Sequence, residues 1–301
     1  MSCALEGDDM ADTLRGQISE LIRRKTPQHL IAAVEQSVKE SLVLTTAKQH
    51  EDRMAVGTSK LGGRPDLPSE IRWPDWNGKP LSFIAQINLS DLPSLECLIV
   101  LPKDGILSFF YSAEQETWGF DPNDKGSWRI LHFGGKNLDR RPFPPDLPKM
   151  GMYNACRFGF QAAYTLPNCE SPHIDLEYGR DRSEGIDQYM DLLASFDRLA
   201  GGRPSCTHRF FGRPDQIQGD MLLEAQLASH GLYCGDPSGY QDPRRKDLEA
   251  AAIDWQLLLQ IDSDDNAGMM WGDMGRIYYL MTLEHLKNKE FDAAWMTLQC
   301  T

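Results

Sequence analysis

The chain has 301 residues and a mass of 34.0 kDa, more than one average domain of about 100–200 residues and fewer than three. With 41% apolar and 25% charged residues, and 25 Gly beside 18 Pro, the composition is globular, which excludes collagen-like, low-complexity and mainly disordered chains. A formal net charge of −13 repels phosphate backbones and anionic lipid surfaces, so nucleic acid and membrane are not expected partners.

Taken in chain order, residues 1–10 are acidic and carry neither a basic start nor the apolar stretch of a signal peptide. No later window approaches the roughly 18–20 apolar residues of a membrane span, and the chain reads as cytoplasmic. Over 12–44, Leu14, Ile18, Leu21 and Ile22, then Leu30, Ile31, Val34, Val38 and Leu42, fall at helical spacing and predict two amphipathic helices separated at Pro27. The Gly- and Pro-rich stretch 57–80 predicts an extended loop anchored by Trp73 and Trp76. Residues 81–89, 105–111 and 128–133 predict strands, and 134–149, with Pro142, Pro144, Pro145 and Pro148, a stiff connector at the midpoint. Beyond it, 186–199 predicts a helix capped by Ser183 and Gly201, and 220–229 a second helix stopped at Gly231. Strands are predicted at 255–261 and 276–281, and one helix or two short ones over 283–298.

Two places share a local pattern. Phe83-Ile84-Ala85-Gln86-Ile87-Asn88 and Leu257-Leu258-Leu259-Gln260-Ile261-Asp262 are apolar runs interrupted by Gln, each followed by a glycine-led strand at Gly105 and Gly275. Upstream of each stands a Gly-Arg-Pro-Asp tetrad, at 63–66 and at 212–215. Three correspondences in one order point to an internal duplication. The expected fold is α+β: an N-terminal helical segment (1–50), a first β-rich half (51–150), and a similar second half with a helical insertion (151–301), packed as one unit with peripheral helices.

The run Ser59-Lys60-Leu61-Gly62-Gly63-Arg64-Pro65, with Trp73-Pro74 and the strand ending at Leu89, resembles the YwqG-like family of uncharacterised, mainly bacterial proteins. So do Gly212-Arg213-Pro214-Asp215, 258–264 and Met270-Trp271-Gly272-Asp273-Met274-Gly275-Arg276. The resemblance spans about residues 58–300. It implies repeated β-rich halves and no assigned reaction; relatives beside polymorphic-toxin genes hint at immunity-like protein–protein work.

Asp262, Asp264, Asn266 and Asp273 occupy positions one, three, five and twelve of a calcium-type loop, but Ala267 replaces its turn glycine and Asp273 its bidentate Glu. The plainer reading is a solvated turn. Gln86 and Gln260, polar within apolar strands, must bond backbone or line a cleft, and with Trp118, Trp271, Arg64 and Arg213 they form the candidate ligand set. The basic clusters at 23–25 and 244–246 read as solvated surface, and Lys60 to Arg64 lacks the spacing of a phosphate loop. There is no Gly-x-Ser-x-Gly elbow and no His-Glu-x-x-His, and the seven histidines do not cluster. The seven scattered cysteines read as free thiols. The expectation is a non-enzymatic module that binds a protein partner through an acidic surface, without a cofactor. The alternative is a ligand- or ion-binding hydrolase-type enzyme with a cleft between the halves, using Asp262, Asp264 and Asp273 with or without a divalent ion such as calcium.

Overall fold

The computed structural model describes residues 3–174, 182–200 and 206–301. In chain order come α1 (Cys3–Lys25), α2 (Ile31–Ser37), β1 (Lys39–Lys48), β2 (Lys60–Leu61), β3 (Asp66–Pro68), β4 (Asp75–Trp76) and β5 (Lys79–Pro80). Then follow β6 (Ser82–Asn88), β7 (Ile106–Tyr111), β8 (Trp128–Phe133), β9 (Leu138–Arg140), β10 (Cys156–Thr165) and α3 (Arg182–Leu199). The remainder is β11 (His208–Phe210), α4 (Met221–Ser229), α5 (Pro237–Gln241), α6 (Arg245–Leu248), β12 (Trp255–Asp262), β13 (Arg276–Thr282), α7 (Leu283–Asn288) and β14 (Trp295–Gln299).

Ten of these strands form one antiparallel sheet in the order β14-β13-β12-β11-β1-β10-β2-β6-β7-β8. The order is symmetric about the β1–β10 pair, which is registered over ten residues from Lys39 opposite Thr165 to Lys48 opposite Cys156. On each flank a short strand precedes a longer one with an irregular register, between Phe83 and Ala85 in β6 and between Leu257 and Leu259 in β12. The sheet then curls until its two ends meet. Trp128 on β8 and Trp295 on β14 pack edge to face at 5.0 Å, and both donate indole N–H bonds across the seam, to the Ala294 and Gly119 carbonyls. Tyr279 adds a hydroxyl bond to the Phe110 carbonyl at 3.1 Å. A nearly closed sheet surrounds one main core, in which Phe109, Tyr111, Trp271 and Tyr279 are wholly buried.

Because β6, β7, β12 and β13 are covered on both faces, they read as continuous apolar runs, and that is why the sequence marks them clearly. Trp73 is an anchor as expected, donating to the Leu81 carbonyl and standing 5.8 Å from the Phe110 ring. Asp220 caps α4 by accepting from the Leu222 and Leu223 N–H groups. Ser183, expected to cap α3, falls within the helix rather than before it; the Gly201 cap expected at its other end and the Cys3 side chain lie outside what the structure describes. The other six cysteines are free. No helix among the described residues is long and apolar enough to cross a membrane.

Two expectations are corrected. The second N-terminal helix stops at Ser37, and the apolar positions up to Leu44 belong instead to β1: Val43, Thr45 and Thr46 are β-branched and Leu42 and Leu44 are buried on one face. Over 283–298 an α-helix ends at Asn288, Lys289 turns the chain at φ 61°, one 3-10 turn covers Phe291–Ala293, and the rest is not helix but β14, with every residue buried. Strand β10 carries no expectation at all, since Arg157, Gly159, Gln161 and Ala162 make it mostly polar or small. The 134–149 connector, for its part, supplies β9, which pairs with β3.

Trp295→Ala removes the ring contact and the indole bond that join the two sheet ends. A loss of about 3–5 kcal/mol is expected by equilibrium urea unfolding of the full chain; a loss under about 1 kcal/mol would show the ends to be energetically independent.

Candidate functional site

Gln86 and Gln260 are both wholly buried and both act as clamps. The Gln86 carbonyl accepts from the Asp66 N–H at 2.9 Å, and its amide donates to the Thr58 carbonyl at 2.8 Å. Gln260 does the same with the Asp215 N–H at 2.9 Å and the Thr207 carbonyl at 2.7 Å. The neighbouring cations behave alike: Lys60 donates to the Arg64 carbonyl and Arg209 to the Arg213 carbonyl, each at 2.6 Å. Each glutamine therefore holds the tetrad of its own half against its own strand, and the Gln86 amide donates in addition to the Asp66 carboxylate at 2.9 Å.

Around the first clamp lies an ion network. The fully buried Lys60 ammonium is 3.3 Å from both Glu51 and Asp66, Arg140 donates to Asp66 at 2.8 Å, and Arg64 to Glu51 at 2.8 Å. Burial drives the Lys60 pKa down against the pull of both carboxylates. Burial would raise Asp66, but Arg140 and Lys60 hold it below the ordinary carboxylate value. The predicted ligand residue Arg64 is spent on these partners.

The 262–273 segment is a turn. Asp264 and Met269 exchange two backbone bonds of 2.9 and 3.0 Å, and Asp264 Oδ1 accepts from the Ala267 N–H. Asp262 faces inward to the Thr207 N–H and Arg276, at 2.8 and 2.9 Å, whereas Asn266 and Asp273 are exposed. The four candidate calcium ligands are therefore not gathered around one point. Among the described residues one other group lies at metal-ligand spacing: Cys206, His208 and Asp264, with donor atoms within 4.8 Å of one another. His208 Nε2 is 3.0 Å from Asp264 and 3.2 Å from the Cys206 sulfur, while its Nδ1 accepts from the Asp262 backbone N–H at 3.1 Å. An acceptor at Nδ1 leaves the proton on Nε2, the atom a metal would need, so the donor set does not suit a cation. Burial, with Asp262 and Asp264, pushes the Cys206 thiol up to about 12, which keeps it protonated and unreactive. In the other half Ser59 occupies the place of His208, accepting from the Asn88 N–H and donating to Asp91, both at 2.9 Å.

Trp271 is a core residue, donating to the Asp262 carbonyl and packed on Tyr111 and Tyr153. Trp118 is half-buried and donates to the Gln115 carbonyl.

Arg213 is the member of the predicted set that reaches open space. A cleft of about 950 Å3 lies where α1 and α2 approach the sheet, and Arg213 lines it together with Arg15, Lys39 and His173. Its apolar wall includes Ile18, Ile22, Val38, Phe211 and Leu286, and Glu35, Glu40, Glu96 and Asp254 also line it. The Arg213 side chain is 5% exposed and is fixed by an Nε bond to the Ser37 carbonyl at 3.0 Å, while its N–H is held by Thr165. Burial pulls its pKa down to about 10, and burial with Arg213 and Lys39 pulls His173 down to about 3. Cys97, at the same cleft, is pushed up to about 12 by burial and Glu40. Sequence reasoning missed Lys39 and His173, since only the fold brings residues so distant in sequence to Arg213; the tetrad arginine was the available signal.

Gln86→Ala and Gln260→Ala each leave a buried N–H and a buried carbonyl unpaired, and each is expected to cost about 2–4 kcal/mol by urea unfolding. Asp264 has a sign that can be checked. Burial would raise its pKa, but bonds from His208, the Ala267 N–H and Thr46 hold it well below the ordinary value. Its contribution is thus complete above about pH 4, the unfolded carboxyl value, and is lost as the pH falls further. The stability gap between wild type and Asp264→Asn is expected to narrow from pH 6 to pH 3; a constant gap would refute this.

Compared with curated proteins, the chain matches none. Residues 59–300, from the serine beside the first clamp to the end of the last strand, match the family described as "Domain of unknown function (DUF1963)", and the chain belongs to that family.

Proposed function

We propose that the chain is a binding module of the YwqG-like kind, made by duplication of one β-rich half, and that a protein partner seats in the cleft between α1, α2 and the sheet. The observation that carries this reading is the cleft itself: about 950 Å3, with an apolar wall, a buried guanidinium and a rim of carboxylates. The paired glutamine clamps, with the same donors and acceptors in each half, support the duplication. The titrating groups at the cleft support binding over catalysis. Cys97 is held as a thiol by its raised pKa, and His173 is pulled far from the neutral range in which a general base works best. The six described free thiols suit a reducing compartment, and the net charge of −13 suits a partner with basic groups around its docking segment.

Ala32 lines the cleft and is exposed, so Ala32→Trp fills the cleft without disturbing the core. Tagged protein isolated gently from its own host is expected to carry one partner at fixed stoichiometry in native mass spectra, and the Ala32→Trp variant is expected to lose it. Equal retention by the variant, or no partner with wild type, would overturn the reading.

A further inference from the structure

The two tetrad arginines stand in the same local frame and end differently. Arg64 is partly exposed and is paired with Glu51 and Asp52 at 2.8 and 3.6 Å. Arg213 is buried, and among the described residues no carboxylate lies within ion-pair distance of its guanidinium; of its side-chain nitrogens only Nε has a bond, to the Ser37 carbonyl. A guanidinium loses much hydration on burial and ordinarily recovers it from a carboxylate or phosphate. Among the described residues the Arg213 guanidinium has neither. His173 Nε2 is itself buried without a hydrogen-bond partner, and Lys39 lines the same wall. A buried cation, an unpartnered imidazole nitrogen and a lysine facing one cleft form a half-site complete except for its anion.

We propose that Arg213, His173 and Lys39 form a subsite that captures the C-terminal carboxylate of an apolar peptide segment of the partner. This rests on the cleft being the binding site. The rest of the cleft decides between anions and bodies. Glu35, Glu40, Glu96 and Asp254 repel a doubly charged phosphate and tolerate a single carboxylate held against the guanidinium. Ile18, Ile22 and Val38 take side chains, and Gln36 and Gln256 offer partners to an extended backbone. The fork of Arg213 supplies two parallel N–H bonds to the carboxylate, with Nε remaining on Ser37. The bound carboxylate also gives His173 Nε2 the partner it lacks.

The test selects from a display library of random eight-residue peptides with free C-termini, using the full chain as bait. Selected peptides are expected to be apolar near their ends and to compete with one another. The same peptides made as C-terminal amides are expected to bind at least about tenfold more weakly by calorimetry, as loss of a charge-assisted bidentate pair implies. Arg213→Gln is expected to abolish the difference between acid and amide. Because that variant also removes the Ser37 bond, the acid–amide comparison on wild type decides by itself. Peptides that bind equally as acids and amides, yet are lost with Ala32→Trp, would overturn the carboxylate subsite and leave the cleft reading standing. Selection of no peptide that Ala32→Trp displaces would overturn both.

Discussion

The pairing of β1 with β10 holds the molecule together. Each strand carries one flank of the sheet: β11 to β14 are ordered from β1, and β2, β6, β7 and β8 from β10. Ten registered residues make this the longest seam in the sheet, and its ends are reinforced by side chains, Thr165 donating to the Lys39 carbonyl and Thr46 to Asp264. β1 precedes residue 59, so the sheet is centred on a strand outside the span that defines the family. The cleft follows from the same arrangement, because α1 and α2 lead directly into β1 and lie against the strand ends there.

The second constraint is polar. A curled sheet covered on both faces leaves nowhere for a side chain such as Gln86, Gln260 or Lys60 to meet water, so each must be satisfied inside. The glutamines solve this by taking one N–H and one C=O from the loop that precedes their strand, which fixes that loop's path. Lys60 is satisfied by Glu51, Asp66 and a carbonyl. An interior ion network of this kind adds little net stability over apolar packing, but loss of one partner strands the others. The two tetrad arginines stand in similar local frames and end differently, Arg64 on two carboxylates and Arg213 at a cleft.

What the sequence made legible follows from burial. Strands covered on both faces, β6, β7, β12 and β13, are written as unbroken apolar runs and were readable to within a residue or two. β1 was misread because Val38 and Leu42 fall at helical spacing by coincidence, and its alternation is short. β14 was misread because α7 precedes it and its apolar residues continue the helical spacing. β10 was invisible because much of it faces solvent. Of the candidate site, the tetrad arginine and the clamping glutamines were marked by being polar in conspicuous places. The Cys206–His208–Asp264 contact and the placing of His173 beside Arg213 depend on chain paths that no local pattern encodes.

The seam between β1 and β10 joins residues 126 apart at Lys39 and Thr165. Closing so long a loop costs chain entropy before any contact rewards it, which slows folding and raises contact order. On the ribosome the consequence is sharper. β1 emerges early, yet both its neighbours, β10 and β11, come from beyond residue 155, so a nascent chain carries an apolar strand with two unpaired edges through more than a third of its synthesis. The strand at the centre of the sheet is thus translated long before either of its neighbours, and during that interval both its edges stand open.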